Sequence, residues 1–299
     1  MLHQLPACPA ACQPDSLMKM QRFHIGLALC TQDLLATHVE LRRECRYISD
    51  LQRWLLSQVG AAIHFEHLID PSSPPVTATS LLRALGDTKI ASHNTVNAFL
   101  KEMQRYRFGI PVSNGDRRNH VVQGTPMAEQ LIARYMSIHL RALDTIDGGR
   151  RLATLEMHPV LIYHAHPRFA RELVAQAGWY EPPRSIANFT YSNSGSSVLH
   201  ELLSTTPAEL PESGSRIWIG RFAPSTLAKR YGLSRSHCRH LFDAARLNQS
   251  VGSDKKGRHA NWWVSPEFVR DYRSWQALKL ATIARSFWEA CEYLGLSAI

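Results

Sequence analysis

Two sets of hydrogen-bond donors, each placed after a serine, are the side chains whose types and spacing could support recognition chemistry. The first set is Ser92, His93, Asn94, Asn97 and Lys101, and the second, after Ser234, is Arg235, Ser236 and Arg239. Lysine, arginine and serine donate to phosphate oxygens, and asparagine and arginine can form paired hydrogen bonds with base edges. This combination indicates chemistry suited to an extended anion such as a nucleic acid.

Each donor set is followed by a glycine-containing turn that carries basic residues. These residues are Arg117 and Arg118, after Asn114-Gly115, and Lys255, Lys256 and Arg258, around Gly257. Runs of β-forming residues lie on both sides, at 110–112 and 120–122 in the first copy and at 249–251 and 261–264 in the second. This pattern predicts two β-hairpins with basic tips. A basic pair in a turn is commonly just solvated, but the nearby donors favour contact with phosphate or the minor groove.

Apolar residues recur at helical spacing behind each donor set. They are Val96, Phe99, Leu100 and Met103 in the first copy and Cys238, Leu241, Phe242 and Ala245 in the second. This spacing predicts two amphipathic helices, with Ser92 and Ser234 as their N-caps and the donors on the opposite face. We interpret Cys238, which lies on the apolar face, as a small core residue in preference to a redox sensor.

The elements around each predicted donor helix also occur twice in the same order. A short helical segment ends at Gly86 or Gly232, where glycine suits a left-handed helix end. Each hairpin runs into a hydroxyl N-cap followed by proline, Thr125-Pro126 or Ser265-Pro266, which predicts the start of a long helix. Residues 77–146 and 223–294 therefore both predict helix, turn, helix, hairpin and long helix.

This order is that of a winged helix-turn-helix, in which the second helix enters the major groove of DNA. We expect a mainly α fold with small β-hairpin wings, built from two winged helix-turn-helix domains in tandem that long packing helices join. The expected organisation is a partly disordered N-terminal extension at 1–48, a first unit at 49–147, a linker at 148–166 and a second unit at 167–299.

The first hairpin resembles the wing of the MarR family of bacterial transcriptional regulators. Its Asp116-Arg117-Arg118, followed after six residues by Thr125-Pro126, is similar to that family's wing motif, although Gly124 stands where the family usually has an aliphatic residue. The resemblance implies that Asp116 braces the wing, that Arg118 reaches the minor groove, and that the helix after Ser92 lies in the major groove. Since MarR-like proteins are homodimers, it also implies a single-chain pseudo-dimer.

The composition and motif content of the chain predict its location and limit the chemistry and partners that we expect. Lys and Arg outnumber Asp and Glu by 34 to 25, and the six cysteines form no C-x-x-C pair. No apolar run is long enough for a membrane span, and no nucleotide-binding, hydrolase or metalloprotease motif occurs. We therefore expect a cytoplasmic, nucleoid-associated protein that is not an enzyme and has neither a cofactor nor a membrane partner. For His158, His164 and His166, a structural or linker role is favoured over metal binding.

The function predicted from these patterns is sequence-specific binding of double-stranded DNA as a transcriptional regulator that reads two unequal half-sites. The chain would act as a monomeric pseudo-dimer or as a further homodimer, with a small-molecule effector that the sequence does not identify. One alternative is a plasmid-type replication initiator, whose two winged-helix domains bind origin repeats. In a third interpretation the winged helices contact only other proteins. Such contacts would not require basic residues at the wing tips.

Overall fold

The computed structural model describes residues 9–112, 120–255, 257 and 260–296. The chain is 67% helical, and the described part contains fifteen α-helices and two small antiparallel sheets that include hairpins. The prediction of a mainly α fold with small hairpins is confirmed at this level. Within the described residues, every helix is either too short or too polar to cross a lipid bilayer.

The elements are numbered in chain order. The helices are α1 (Pro14–Met18), α2 (Phe23–Glu40), α3 (Arg42–Tyr47), α4 (Leu51–Ile69), α5 (Ala78–Leu85), α6 (His93–Arg105), α7 (Pro126–Asp147), α8 (Arg151–Met157), α9 (Leu161–Ala175), α10 (Ala177–Tyr180), α11 (Arg184–Thr190), α12 (Gly195–Leu203), α13 (Pro224–Tyr231), α14 (Arg235–Leu247) and α15 (Pro266–Tyr293). The strands are β1 (Gly109–Val112), β2 (Val121–Gly124), β3 (Ile217–Arg221), β4 (Val251–Ser253) and β5 (Asn261–Val264).

Four helices begin with a side-chain N-cap at the serine or threonine where the sequence predicts their start. The hydroxyl oxygens of Ser92, Ser234, Thr125 and Ser265 each accept a backbone N–H from the first turn of α6, α14, α7 and α15, respectively. Each cap satisfies one of the N–H groups that a helix start leaves without an intrahelical partner. The predicted starts of these helices are confirmed.

The predicted hairpins are present, with shifted strand limits. β1 pairs with β2, and β4 pairs with β5, which β3 joins from the other side. The second hairpin begins at Val251, whereas the sequence places it at Gln249. Gln249 has a φ of 54° and Arg107 a φ of 62°, so a left-handed residue follows the donor helix in both copies. These residues redirect the chain from the helix into the strand that follows, which begins two residues later, at Gly109 or Val251.

The repeat extends over much more of the chain than its hairpin-containing segments. His93 and Arg235, the first residues of α6 and α14, are 142 positions apart, and Pro126 and Pro266 are 140 apart. We refer to the described residues within 9–147 and 148–296 as the first and second halves. Long helices α2 and α9 occupy corresponding places ahead of the hairpin segment in each half.

The two halves interlock around one continuous core. Helix α2 packs on α7 of its own half and on α12 of the other, and α9 packs on α15 of its own half and on α4 of the other. Helices α7 and α15 also contact each other, while α1 packs on α15 and α8 packs on α7. Each half therefore packs helices against the other half as well as against its own.

Residues expected to form an extension and a linker are structural parts of this core, which corrects the expectation for 10–47 and 151–166. Helix α2 approaches α7 so closely that a Cβ on Gly26 would lie 2.4 Å from Ile146 Cγ1. Its buried face includes polar Thr31 and His38, while apolar Ile25 and Val39 are exposed. A search for an apolar stripe therefore misses this helix. Residues 1–8 lie outside the described part of the chain.

Candidate nucleic-acid interface

Helix α6 presents the first donor set on its solvent side. His93, Asn94 and Lys101 are exposed, while Asn97 is half-buried and its Nδ2 lies 3.0 Å from His93 Nδ1. The side-chain oxygen of Ser92 accepts the N–H of Thr95 at 3.2 Å. The structure therefore brings the five predicted residues of this helix to one surface. Ser92 is engaged as the cap, so it is the least available of the five for a ligand.

The buried face of α6 fixes the orientation of that surface. Val96, Phe99 and Leu100 are buried on the opposite side, as the apolar spacing predicts. Because the buried and exposed positions alternate with the helical period, rotation of α6 would bury the donors and expose aromatic surface. The presentation of the donors thus follows directly from core packing.

Helix α14 presents the second donor set in the same way. Arg235, Ser236 and Arg239 are exposed, and Ser234 caps the helix by accepting the N–H of His237 at 3.1 Å. Cys238 lies on the buried face, where its Sγ is 3.2 Å from the carbonyl oxygen of Pro224. Burial raises the pKa of this thiol to about 11. A thiol of this kind suits the predicted core role, because reactive thiols have lowered pKa values.

Several predicted residues of the hairpin tips fall outside the described residues. They are Asp116, Arg117 and Arg118 in the first hairpin and Lys256 and Arg258 in the second. Lys255 is described and exposed. The roles of the five undescribed residues, including bracing by Asp116, therefore stay predictions.

An open groove runs between α14 and the second hairpin. Its basic lining comprises Arg216, Arg235, Arg239, Arg246 and Lys255, against which Asp243 is the acidic residue in the lining. The sequence interpretation singled out three of these basic residues and missed Arg216 and Arg246. This excess of positive charge, in a groove formed by a helix and a hairpin, is complementary to a polyanion.

Arg246, in the lining of this groove, is held in place by neighbouring side chains. Its guanidinium carbon lies 4.7 Å from the centroid of the Trp262 ring, and its two terminal nitrogens lie 3.3 Å from Asp243 Oδ1 and 3.2 Å from Ser253 Oγ. The indole N–H of Trp262 donates to the carbonyl oxygen of Phe222 at 2.9 Å, which fixes the ring. Arg246 follows Arg239 by seven positions, the helical spacing that could have identified it.

Arg216 lines the same groove and is held in a related way. Its guanidinium carbon lies 5.0 Å from the ring centroid of Trp263. Since strand residues alternate between faces, adjacent Trp262 and Trp263 lie on opposite sides of β5, where each stacks with a different arginine. The pair of tryptophans thus supports two cations, a role that the strand pattern does not reveal.

The base of the first hairpin explains the glycine at 124. A Cβ at this position would lie 2.7 Å from Cδ2 of His64, whose ring packs against the backbone. The N–H of Gly124 donates to His64 Nδ1 at 3.4 Å, and His64 Nε2 lies 2.9 Å from Glu129 Oε1. The histidine therefore takes the space that an aliphatic side chain would fill, and connects the hairpin to α4 and α7.

The three histidines considered as metal ligands do not converge. His158 is exposed at the end of α8, whereas His164 and His166 lie on helix α9, where residues two apart face different directions. His166 Nε2 lies 3.0 Å from Gln58 Oε1, and burial lowers the pKa of this imidazole to about 3. The described residues contain no group of three His, Cys, Asp or Glu arranged to hold a metal ion.

Comparison of the chain with protein-family models, with curated proteins and with solved structures finds no match. The likeness to the MarR family therefore rests on the wing motif at 116–126 and stays a prediction.

Proposed function

We propose that this chain is a sequence-specific, double-stranded DNA-binding regulator of transcription with two winged helix-turn-helix units. In each unit, α5 and α6, or α13 and α14, are the helix-turn-helix, and the hairpin that follows is the wing. Support comes from the same order of elements in both halves and from the donors exposed on α6 and α14. The MarR-like wing motif favours a bacterial regulator with this architecture.

The observation that carries the proposal is the groove between α14 and its wing. A recognition helix and a wing that contact DNA must meet the sugar–phosphate backbone between the major and minor grooves. Arg246 lies where this backbone would pass, and its contacts with Trp262 and Asp243 restrict its side chain in advance. An arginine that is already oriented loses less conformational freedom when it binds phosphate, because its planar guanidinium has a fixed set of donors.

The two recognition helices offer different chemistry to base edges. Helix α6 carries Asn94 and Asn97, and helix α14 carries Arg235 and Arg239 at exposed or half-buried positions. Asparagine forms paired hydrogen bonds with adenine, and arginine forms them with guanine. A DNA site with two unequal half-sites follows, in contrast to the palindrome that a homodimer would read.

Selection of bound fragments from genomic DNA, followed by titration at several salt concentrations, tests the proposal. Arg246→Ala should weaken binding to all sequences and reduce the slope of log affinity against log salt by about 0.9. Arg239→Ala should instead relax base preference in one half-site by about 1–3 kcal/mol.

A matched control is Arg150→Ala. Arg150 is exposed and follows the C-terminal end of α7, about 30 Å along that helix from its start at the first wing. This variant should bind as the unmodified chain does. Selection that enriches no duplex sequence would refute the proposal, and enrichment of repeated sites at a replication origin, away from promoters, would indicate an initiator.

A further inference from the structure

Three arginines form an exposed cluster beside the first recognition helix. Arg42, Arg43 and Arg46 lie on the short helix α3 and, with Arg53 of α4, line an open pocket. We call Arg42, Arg43 and Arg46 the central arginine cluster. Tyr47 holds α3 against α6, since its ring stacks on Tyr106 at a centroid distance of 4.3 Å.

The central arginine cluster lies between the two proposed DNA-binding units. Its pocket is bounded in the first half by Glu102 of α6 and by Tyr106, which follows the end of that helix, and in the second half by Asn193. Arg46 also reaches the second helix-turn-helix, because its Cδ lies 3.5 Å from the position of a Cβ on Gly232, in the turn between α13 and α14. The cluster is therefore next to both units at once.

The internal repeat shows which flank of α6 the cluster occupies. In α14 the residues that line the wing groove include Arg235, Arg239 and Arg246. Glu102 and Tyr106 correspond, at the same interval of 142 positions, to Ala244 and Asn248, which do not line that groove. On a helix, these two flanks are opposite. The first recognition helix thus has its wing on one side and the arginines on the side that faces the second unit.

The charges of the cluster are not neutralised within the described residues. Glu102 is the carboxylate in the pocket lining, and it lies 3.5 Å from Arg53, which is also paired with Asp50 at 2.8 Å. Arg42, Arg43 and Arg46 form no ion pair there, and Arg43 lies over the Tyr106 ring at 5.8 Å. Three exposed cations held close together favour an anionic ligand, because neither Glu102 nor Glu44 of the same helix forms an ion pair with any of them within the described residues.

We propose that the central arginine cluster binds the phosphate backbone of the DNA segment between the two half-sites. This inference rests on the proposed function, because it requires both recognition helices to contact one duplex. The corresponding stretch of the second half, residues 176–194, has Arg184 and Glu181 as its charged residues. The central contact is therefore one-sided, and it adds affinity without reading bases.

The test compares the full chain with the variant Arg42→Gln, Arg43→Gln, Arg46→Gln on the selected duplex. Loss of three phosphate contacts should reduce the slope of log affinity against log salt by about 2.7. Between 50 and 200 mM salt, the affinity of the unmodified chain should therefore fall by about 40-fold more than that of the variant. Base preference should not change. The single variant Arg43→Gln should reduce the slope by about 0.9.

The control removes the same charge elsewhere, in Lys19→Gln, Arg22→Gln, Arg150→Gln. These residues are exposed near the C-terminal end of α7, since Gly26, one turn beyond Arg22, packs against Ile146. This control should keep the slope of the unmodified chain. A control that lowers the slope equally would overturn the inference, because the effect would then come from net charge.

A second experiment changes the DNA: uncharged methylphosphonate linkages replace the phosphates of the segment between the half-sites. The affinities of the unmodified chain and of the triple cluster variant are then measured on this duplex. The unmodified chain should then lose affinity and salt slope, and the triple cluster variant should be insensitive to the replacement. If the affinity of the unmodified chain does not change with the replacement, the inference is overturned while the proposed function still stands. Failure of the unmodified chain to select any duplex would overturn the proposed function together with the inference, so the two failures are distinguishable.

Discussion

Replacement of Lys279 by Met should stabilise the protein at neutral pH. Lys279 lies on α15, where it is 4% exposed, and its ammonium lies 5.7 Å from the Trp179 ring and 5.8 Å from the Tyr135 ring. It forms no ion pair within the described residues. Other titratable groups that act electrostatically with it are Cys30 of α2, His139 of α7 and His200 of α12.

The size of the effect follows from the pKa of this lysine. Burial lowers the pKa of Lys279 from 10.5 to about 8. Each pKa unit corresponds to 1.36 kcal/mol, so the buried ammonium destabilises the folded chain by about 3 kcal/mol below pH 8. Methionine has a similar length without the charge, and should raise the free energy of unfolding by up to that amount at pH 7.

The pH dependence supplies the decisive check. Between pH 8 and 10.5 the unfolded chain keeps the Lys279 proton while the folded chain has released it, so the unfolded state binds more protons and this penalty falls as pH rises. Urea unfolding of both proteins should show a gain for Lys279→Met at pH 7 that shrinks toward pH 10.5. Exposed Lys229→Met is the control and should show little change. A gain that is independent of pH, or destabilisation at pH 7, would refute the reasoning.

Two further substitutions test close packing in the core. Gly124→Ala should destabilise the chain by about 1–3 kcal/mol in thermal unfolding, because its Cβ would lie 2.7 Å from the His64 ring. In a His64→Ala background the same Gly124→Ala substitution should cost less, because the ring that its Cβ meets is absent. A neutral Gly124→Ala in the unmodified chain would show that the ring moves aside freely. Arg151→Met should cost about 3–5 kcal/mol in urea unfolding, since this buried guanidinium lies 3.1 Å from Asp144 and 2.6 Å from Asp147 and its loss leaves two carboxylates unpaired. The adjacent exposed Arg150→Met should be close to neutral, and equal effects at both positions would contradict the burial argument.

Local structure was predictable from the sequence wherever a few neighbouring residues control it. The caps at Ser92 and Ser265, the apolar stripes of α6 and α14, and both hairpins depend on contacts within one element or across one turn. The donors on α6 and α14 were found for the same reason, since the face of an amphipathic helix follows from its residue spacing.

What only the tertiary structure decided involves residues far apart in the chain. The helix at 23–40 carries mixed polar and apolar faces, and its place in the core becomes visible only when α7 packs against it. Arg246 gains its orientation from Trp262, and Arg46 reaches Gly232 across the boundary between halves. The sequence by itself determined the repeated elements and their exposed donors, because these depend on local periodicity. The tertiary structure decided how the halves interlock and which residues Arg246 and Arg46 approach. Those contacts join segments that are far apart in the sequence, so no local pattern predicts them.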